Sequence, residues 1–218
     1  MLVVRSVTVG PFAMNAWLAG CDRTGEAVLI DPGDEISRVV ALTEPGGFRV
    51  TRIVLTHGHI DHAAHSSDAA ARTGAPVQIH ASDVPMLEHL REQALMIAYP
   101  DPLPPPTVAH RHVHGERFRV GEHEATILHV PGHTPGSCAI HFEADRELFA
   151  GDTLFARSVG RTDLPGGDTE ALMRSIREVL FPLGDGVHVR CGHGPSTVLG
   201  DERRLNPFVG ERARRSEP

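Results

Sequence analysis

The stretch THGHIDH, Thr56 to His62, decides how this chain is read: three histidines and one aspartate stand within seven residues, directly after TRIVL at 51–55. TRIVL is apolar and β-branched and reads as a strand, so the cluster sits at a strand mouth. A metal site needs neutral imidazoles and ionised carboxylates converging on one point, and loops at strand ends can deliver them. His57 and His59 stand two apart, while Asp61 and His62 follow as the chain turns into a helix. Neighbouring positions aim at different points, so the motif has donors enough for two metals.

Further donors should follow other strands. His133 in HVPGHTPGS, Asp152 in LFAGDTLF and His193 in RCGHGPS each come after a β-rich run and beside glycine. Glycine permits the tight turns and close backbone approach that a crowded site requires. Any one of these residues alone would read as an ordinary surface side chain; together with THGHIDH they fit one assembly. The expected arrangement is His57, His59 and His133 around a first ion, Asp61, His62 and His193 around a second, and Asp152 bridging. Two divalent ions are implied, zinc foremost, with iron or a mixed pair as the alternative. Most of the other histidines read as solvated, including His110, His112 and His114 of AHRHVHGE, which alternate as on a strand edge.

Outward from the motif, LVVRSVTV (2–9), NAWLAGC (15–21), EAVLI (26–30), PVQIH (76–80), ERFRV, EATILHV, SCAIHF, ELFA and GVHVRC read as strands. DEISRVVALTEPGG reads as a helix begun by a capping aspartate, and DHAAHSSDAAARTG, SDVPMLEHLREQAL and DTEALMRSIREVLF read as further helices. Strands alternate with helices in both halves, so the expectation is an α/β layered fold in one domain, residues 1–218. Tyr99 to His110, with five prolines, reads as a connection between the halves.

Composition removes several function classes. The net charge is −7 with both signs spread along the chain, which argues against a nucleic-acid or anionic-membrane surface and for a small-molecule partner. All the basic residues are arginine; no lysine is present for a Schiff base or a general base. Cys21, Cys138 and Cys191 are widely spaced and suggest neither a disulfide framework nor a thiolate zinc site. The N-terminus has no clear signal pattern and no window is apolar for 18 residues, so a cytoplasmic protein is expected.

The set HxHxDH (57–62), GHTPGS (132–137), GDTLF (151–155) and GHG (192–194) resembles the metallo-β-lactamase superfamily. Within it, SVGRTDLPGGD (158–168) and GHGPSTVLGDERRLNPF (192–208) are similar to the short type II glyoxalases, the hydroxyacylglutathione hydrolases, with persulfide dioxygenases as close relatives. The resemblance runs from about residue 2 to 209. It implies a four-layer αβ/βα sandwich with metals in a cleft where the sheets meet, and its ligand roles fall on the same seven residues. It also implies hydrolysis of a 2-hydroxyacyl thioester such as S-lactoylglutathione by a metal-activated hydroxide, with Asp61 and Asp152 as catalytic ligands and Arg161 of VGRTD binding a substrate carboxylate. The dioxygenase alternative would use one iron on His57, His133 and Asp152. A phosphodiesterase or a binding protein with a relic site is a remoter alternative. The chain departs from the long enzymes of the family where a tyrosine would follow the last histidine: Gly194, Pro195 and Ser196 stand there instead. In those enzymes a C-terminal helical domain helps hold glutathione, whereas 25 residues follow His193 here.

Overall fold

A computed structural model describes residues 1–99, 104–211 and 213. β1 (Leu2–Val9), β2 (Met14–Cys21), β3 (Glu26–Ile30), β4 (Arg49–Val54), β5 (Val77–His80) and β6 (Val108–His112) form one sheet in that order. The first three strands are antiparallel neighbours, and β3 to β6 run parallel. The second sheet joins β7 (Arg117–Val120), β8 (His123–His129), β9 (Cys138–Phe142), β10 (Glu147–Gly151), β13 (His188–Cys191) and β14 (Thr197–Val198); a small β11–β12 ribbon (Leu154–Phe155, Ser158–Val159) stands apart.

Period-2 side-chain alternation explains the layering. On β3, Val28 and Ile30 face the second sheet, where they meet Phe118, Ile127, Ile140, Phe142 and Phe149. Ala27 and Leu29 point the other way, into a cluster with Val39 and Ala69. Those residues belong to α1 (Ile36–Ala41) and α3 (Ser66–Thr73), and Leu87 and Leu90 of α4 (Val84–Glu88) and α5 (Leu90–Ile97) extend the same layer. Behind the second sheet, Leu148 and Val189 pack on Leu172, Ile176 and Leu180 of the segment that begins with α6 (Thr169–Arg174). Strands buried on both faces between outer helices are the four-layer αβ/βα sandwich that the sequence reading expected.

Several local expectations change. Helix α1 does not start on a capping aspartate: Glu35 is its N-cap, at φ 44° and without a side-chain cap. Asp34 is engaged by the Tyr99 hydroxyl at 2.7 Å and by the Glu35 N–H. DHAAHSSDAAARTG is two helices, α2 (Ile60–Ala63) and α3, because the His65 N–H turns away to the Gly33 carbonyl at 3.1 Å. SDVPMLEHLREQAL likewise breaks at His89 into α4 and α5. DTEALMRSIREVLF does begin on a capping Asp168, then widens into a π-helix over Ser175–Leu180, where the Ser175 hydroxyl bonds the Pro131 carbonyl. Of the Tyr99 to His110 connection, residues 100–103 lie outside the described residues, and Val108 to His110 already belong to β6. His112 is not solvated but fully buried, and Glu116 stands beside His110. Among the described residues, no helix is long and apolar enough to cross a membrane.

Parallel strands end on the same edge, and the site is built there. β10 and β13 are parallel, so Asp152 and the Gly192–His193 turn emerge side by side. The two sheets are tied at this edge by Asn15 N–H to the Gly192 carbonyl at 2.7 Å, Trp17 Nε1 to the Cys191 carbonyl at 3.1 Å, and Cys138 N–H to the Thr56 carbonyl at 2.8 Å.

Candidate metal centre

All seven residues singled out in the sequence converge. His57 and His59 lie in the loop after β4, Asp61 and His62 in α2, His133 between β8 and β9, Asp152 after β10, and His193 after β13. Their donor atoms form overlapping triplets, each close enough to share an ion: His57, His59 and His133; His57, His62 and Asp152; Asp61, His62 and His193. His59 Nδ1 is 2.8 Å from His133 Nε2, and His62 Nε2 is 3.3 Å from His193 Nε2. Asp152 lies between the sets, with Oδ1 3.3 Å from His62 Nε2 and Oδ2 3.5 Å from His193 Nε2 and 3.7 Å from His133 Nε2. Asp61 Oδ2 is 3.1 Å from His193 Nε2.

The rings are aimed by what their other nitrogens touch. His57 Nδ1 meets Thr56 Oγ1 at 3.0 Å, His62 Nδ1 meets Asp31 Oδ2 at 2.9 Å, His133 Nδ1 meets the Arg161 carbonyl at 2.8 Å, and His193 Nδ1 meets the Phe12 carbonyl at 3.0 Å. Proton acceptors at Nδ1 turn four Nε2 atoms inward, so that the neutral form of each ring is the tautomer that metal ligation requires. Close approach sets the glycines: a Cβ on Gly192 would collide with Asp152 Oδ1, and one on Gly33 with the Asp61 carbonyl.

Buried atoms left without partners test whether the residues fit a cation. Among the described residues, His57 Nε2 and Asp152 Oδ1 are both buried and find no hydrogen-bond partner, although buried polar atoms are almost always satisfied. His57 and Asp152 share a triplet with His62 whose ligand atoms lie within 4.8 Å of one another. A lone pair and a carboxylate oxygen converging without a donor are matched to a divalent ion with nitrogen and oxygen ligands. His57, His62 and His133 are nearly closed off from solvent, whereas His193 and Asp61 keep side-chain exposures of 25% and 16%, so the open face is on their side.

Asp31 and Asp83 were not singled out by the sequence reading. Asp31, at the end of β3, accepts from Thr56 N–H and Thr56 Oγ1, each at 2.7 Å, as well as facing His62. Its φ of 52° is left-handed, an unfavourable conformation retained where the surroundings hold it. Asp83, fully buried, accepts from Gly58 N–H (2.9 Å), Thr134 Oγ1 (2.6 Å) and Gly136 N–H (2.6 Å). It thereby ties the loop of His57 and His59 to that of His133. The Arg161 guanidinium forks onto Asp163 at 2.7 and 2.9 Å on the exposed surface, and its backbone carbonyl meets His133 Nδ1.

Residues 9–193 match the sequence model of the metallo-beta-lactamase superfamily, and the chain belongs to that superfamily. It is 34% identical over 213 residues to the hydroxyacylglutathione hydrolase GloC of Haemophilus influenzae, covering 96% of this chain and 99% of that protein. Its fold matches a structure described as the BLEG-1 B3 metallo-beta-lactamase with a TM-score of 0.86 and 31% identity, over 95% of this chain and 99% of that one. It also matches TTHA1623 in a di-iron-bound form with a TM-score of 0.84 and 37% identity, over 94% of this chain and all of that one (100%). Family, fold and histidine–aspartate cluster together make this chain a metallo-hydrolase by class.

Proposed function

We propose that the chain hydrolyses a 2-hydroxyacyl thioester of the S-lactoylglutathione class, giving a hydroxy acid and a free thiol, at a centre for two divalent ions. The observation that carries this reading is the position of Asp152, whose oxygens face histidines of both sets while Oδ1 finds no hydrogen-bond donor among the described residues. His57, His59 and His133 would hold one ion, Asp61, His62 and His193 the other, and Asp152 both. Zinc is the expected ion, with iron or a mixed pair as the alternative. Bound there, divalent ions lower the pKa of a coordinated water from about 15.7 towards about 7 and polarise a carbonyl oxygen.

The chain's own groups do the positioning. Thr56, Asp31 and the carbonyls of Arg161 and Phe12 fix the imidazoles, so the donor set needs little rearrangement. Asp61, on the open side, accepts a hydrogen bond from the attacking water and orients it towards the acyl carbon. A C–O bond forms to that carbon, the water's protons pass to solvent, and the C–S bond breaks to give the carboxylate and a thiolate that takes a proton from solvent. Arg161 would exchange Asp163 for a carboxylate of the thiol carrier, which a guanidinium can grip with two parallel bonds. The likeness to GloC supports the thioester, and the likeness to TTHA1623 supports a two-ion site.

Anaerobic cleavage of S-lactoylglutathione by zinc-loaded and iron-loaded protein, run beside oxygen uptake on glutathione persulfide and hydrolysis of a β-lactam, tests the reading. Thioester cleavage without oxygen is expected, lost in both His59→Ala and His62→Ala. Oxygen uptake by the iron form with negligible thioester cleavage would install the single-iron dioxygenase instead.

A further inference from the structure

A second set of imidazoles gathers at the sheet edges and shares no residue with the first. β6 closes the first sheet, β7 opens the second at its edge, and the turn from Val113 to Glu116 carries the chain across. Residues two apart on a strand share a face, so His110 and His112 project together, and the turn brings Glu116 back to them. His110 Nε2 is 2.7 Å from Glu116 Oε1, His112 Nδ1 is 3.5 Å from Glu116 Oε2, and one donor atom from each residue lies within 4.8 Å of the others. The Val113 N–H donates to Glu116 Oε2 at 3.2 Å and steadies the carboxylate.

His112 is the anomaly. Its side chain is 0% exposed and lies beside the Phe118 ring, yet neither ring nitrogen has a hydrogen-bond partner among the described residues. Burial outweighs the pull of Glu116 and holds its pKa down to about 4, so the ring keeps a free lone pair at neutral pH. Arg52, stacked over Phe118 at 4.4 Å, adds a positive charge that disfavours cations held by charge alone. Nitrogen donation is then the term that can win.

We propose that His110 Nε2, His112 Nδ1 and a Glu116 carboxylate oxygen form a separate site for one divalent ion of the zinc class, completed by water. Two imidazoles and a carboxylate select zinc, copper or nickel over magnesium or calcium, and three protein donors with one open position suit zinc. Zinc bonds of about 2.0 to 2.2 Å set tetrahedral donors roughly 3.3 to 3.5 Å apart. The contacts of 3.5 Å and 2.7 Å are to different oxygens of Glu116, one facing each ring, and the three donor atoms lie within 4.8 Å of one another, so closing on one ion takes side-chain shifts of roughly one ångström. An ion here would staple the edge strand of one sheet to the turn that begins the edge of the other.

The test loads the chelator-stripped whole protein with Zn²⁺ and counts bound ions per chain for the parent, His110→Ala, His112→Ala and Glu116→Gln. Each variant should hold one ion fewer than the parent, and His114→Ala should hold the same number. Because the readout is a difference from the parent, it stands whatever number the seven-residue centre takes. His110 and Glu116 are not buried, so their variants keep the test decisive if His112→Ala fails to fold. Equal counts in the parent and all three variants would overturn the site. So would an equal loss in His114→Ala, which would mark diffuse binding by surface histidines.

Discussion

His59 and His62 stand three residues apart and titrate in opposite directions. Burial, reinforced by His133, lowers His59 to about 3, and His57 is driven well below its ordinary value by burial and the surrounding imidazoles. Burial opposes charge on His62 as well, but Asp152, Asp61 and Asp31 outweigh it and hold that ring well above the ordinary value. His193 is raised too, burial being overcome by Asp61 and Asp152. The difference lies in where the carboxylates are, since His62 is the more buried of the first pair. His57 and His59 therefore offer neutral donors in advance, whereas His62 and His193 store protons that an arriving cation must displace.

Removing the group that joins the halves should have the largest effect. Asp152→Ala is expected to lose metal and to lower turnover by more than about 100-fold, beyond the range that outer partners of ligands produce. The sheets should survive, because three apolar layers hold them independently of the cluster. Metal analysis with circular dichroism checks both, and a variant retaining full metal and activity would remove the bridging assignment.

Next in size is Asp31, which serves both halves through Thr56 and His62. Asp31→Ala should weaken metal affinity by about 10- to 100-fold. Thr56→Val, which spares the Asp31–His62 contact, should cost less. Chelator competition ranks the two, and the opposite order would mean that Asp31 acts on the inner half alone, the set His57, His59 and His133.

These partners mark where sequence reading stops. The seven-residue set was legible because each member follows a strand, and parallel strands bring their ends to one edge whatever the intervening chain does. Asp31 was hidden because Asp-Pro-Gly is ordinary turn chemistry; only the fold shows that this turn's first side chain points back at Thr56. Asp83 sat inside a helical pattern. The break at His65 rests on a bond to Gly33, thirty-two positions earlier, and helical periodicity carries no trace of it. Alternation on an edge strand does not say what will bury His112, whose ring lies beside Phe118. The α/β layering needs only period-2 runs alternating with helical ones, so it survives misplaced helix ends, whereas the four-layer sandwich is what the family resemblance implies.

Acid should separate the halves. Because His62 and His193 have raised values, they remain protonated to higher pH than an ordinary histidine, so metal affinity should rise with pH through their titration and fall as pH drops. His57 and His59, with lowered values, should bind zinc without proton release. Calorimetric zinc titration of the stripped protein in buffers of different ionisation enthalpy counts the protons. At least one is expected at pH 7, with fewer in His62→Ala; a count of zero in the parent would contradict the contrast between the halves.

The smallest effect belongs to Arg161, whose two parts do different work. Its carbonyl bonds His133 Nδ1, and Arg161→Ala keeps that carbonyl, so the inner half should stay aligned and kcat should hardly change. Its guanidinium is exposed and paired with Asp163, so a role in binding a substrate carboxylate carries only the modest energy of a solvent-screened fork. KM should rise by roughly three- to tenfold in Arg161→Ala. Asp163→Asn should lower KM by releasing the guanidinium from its present partner. If KM moves in neither variant, the fork is a surface ion pair and the residue contributes through its backbone alone. A fall in kcat without a change in KM would instead show that the loop's conformation, and with it the aim of His133, depends on the Arg161–Asp163 pair.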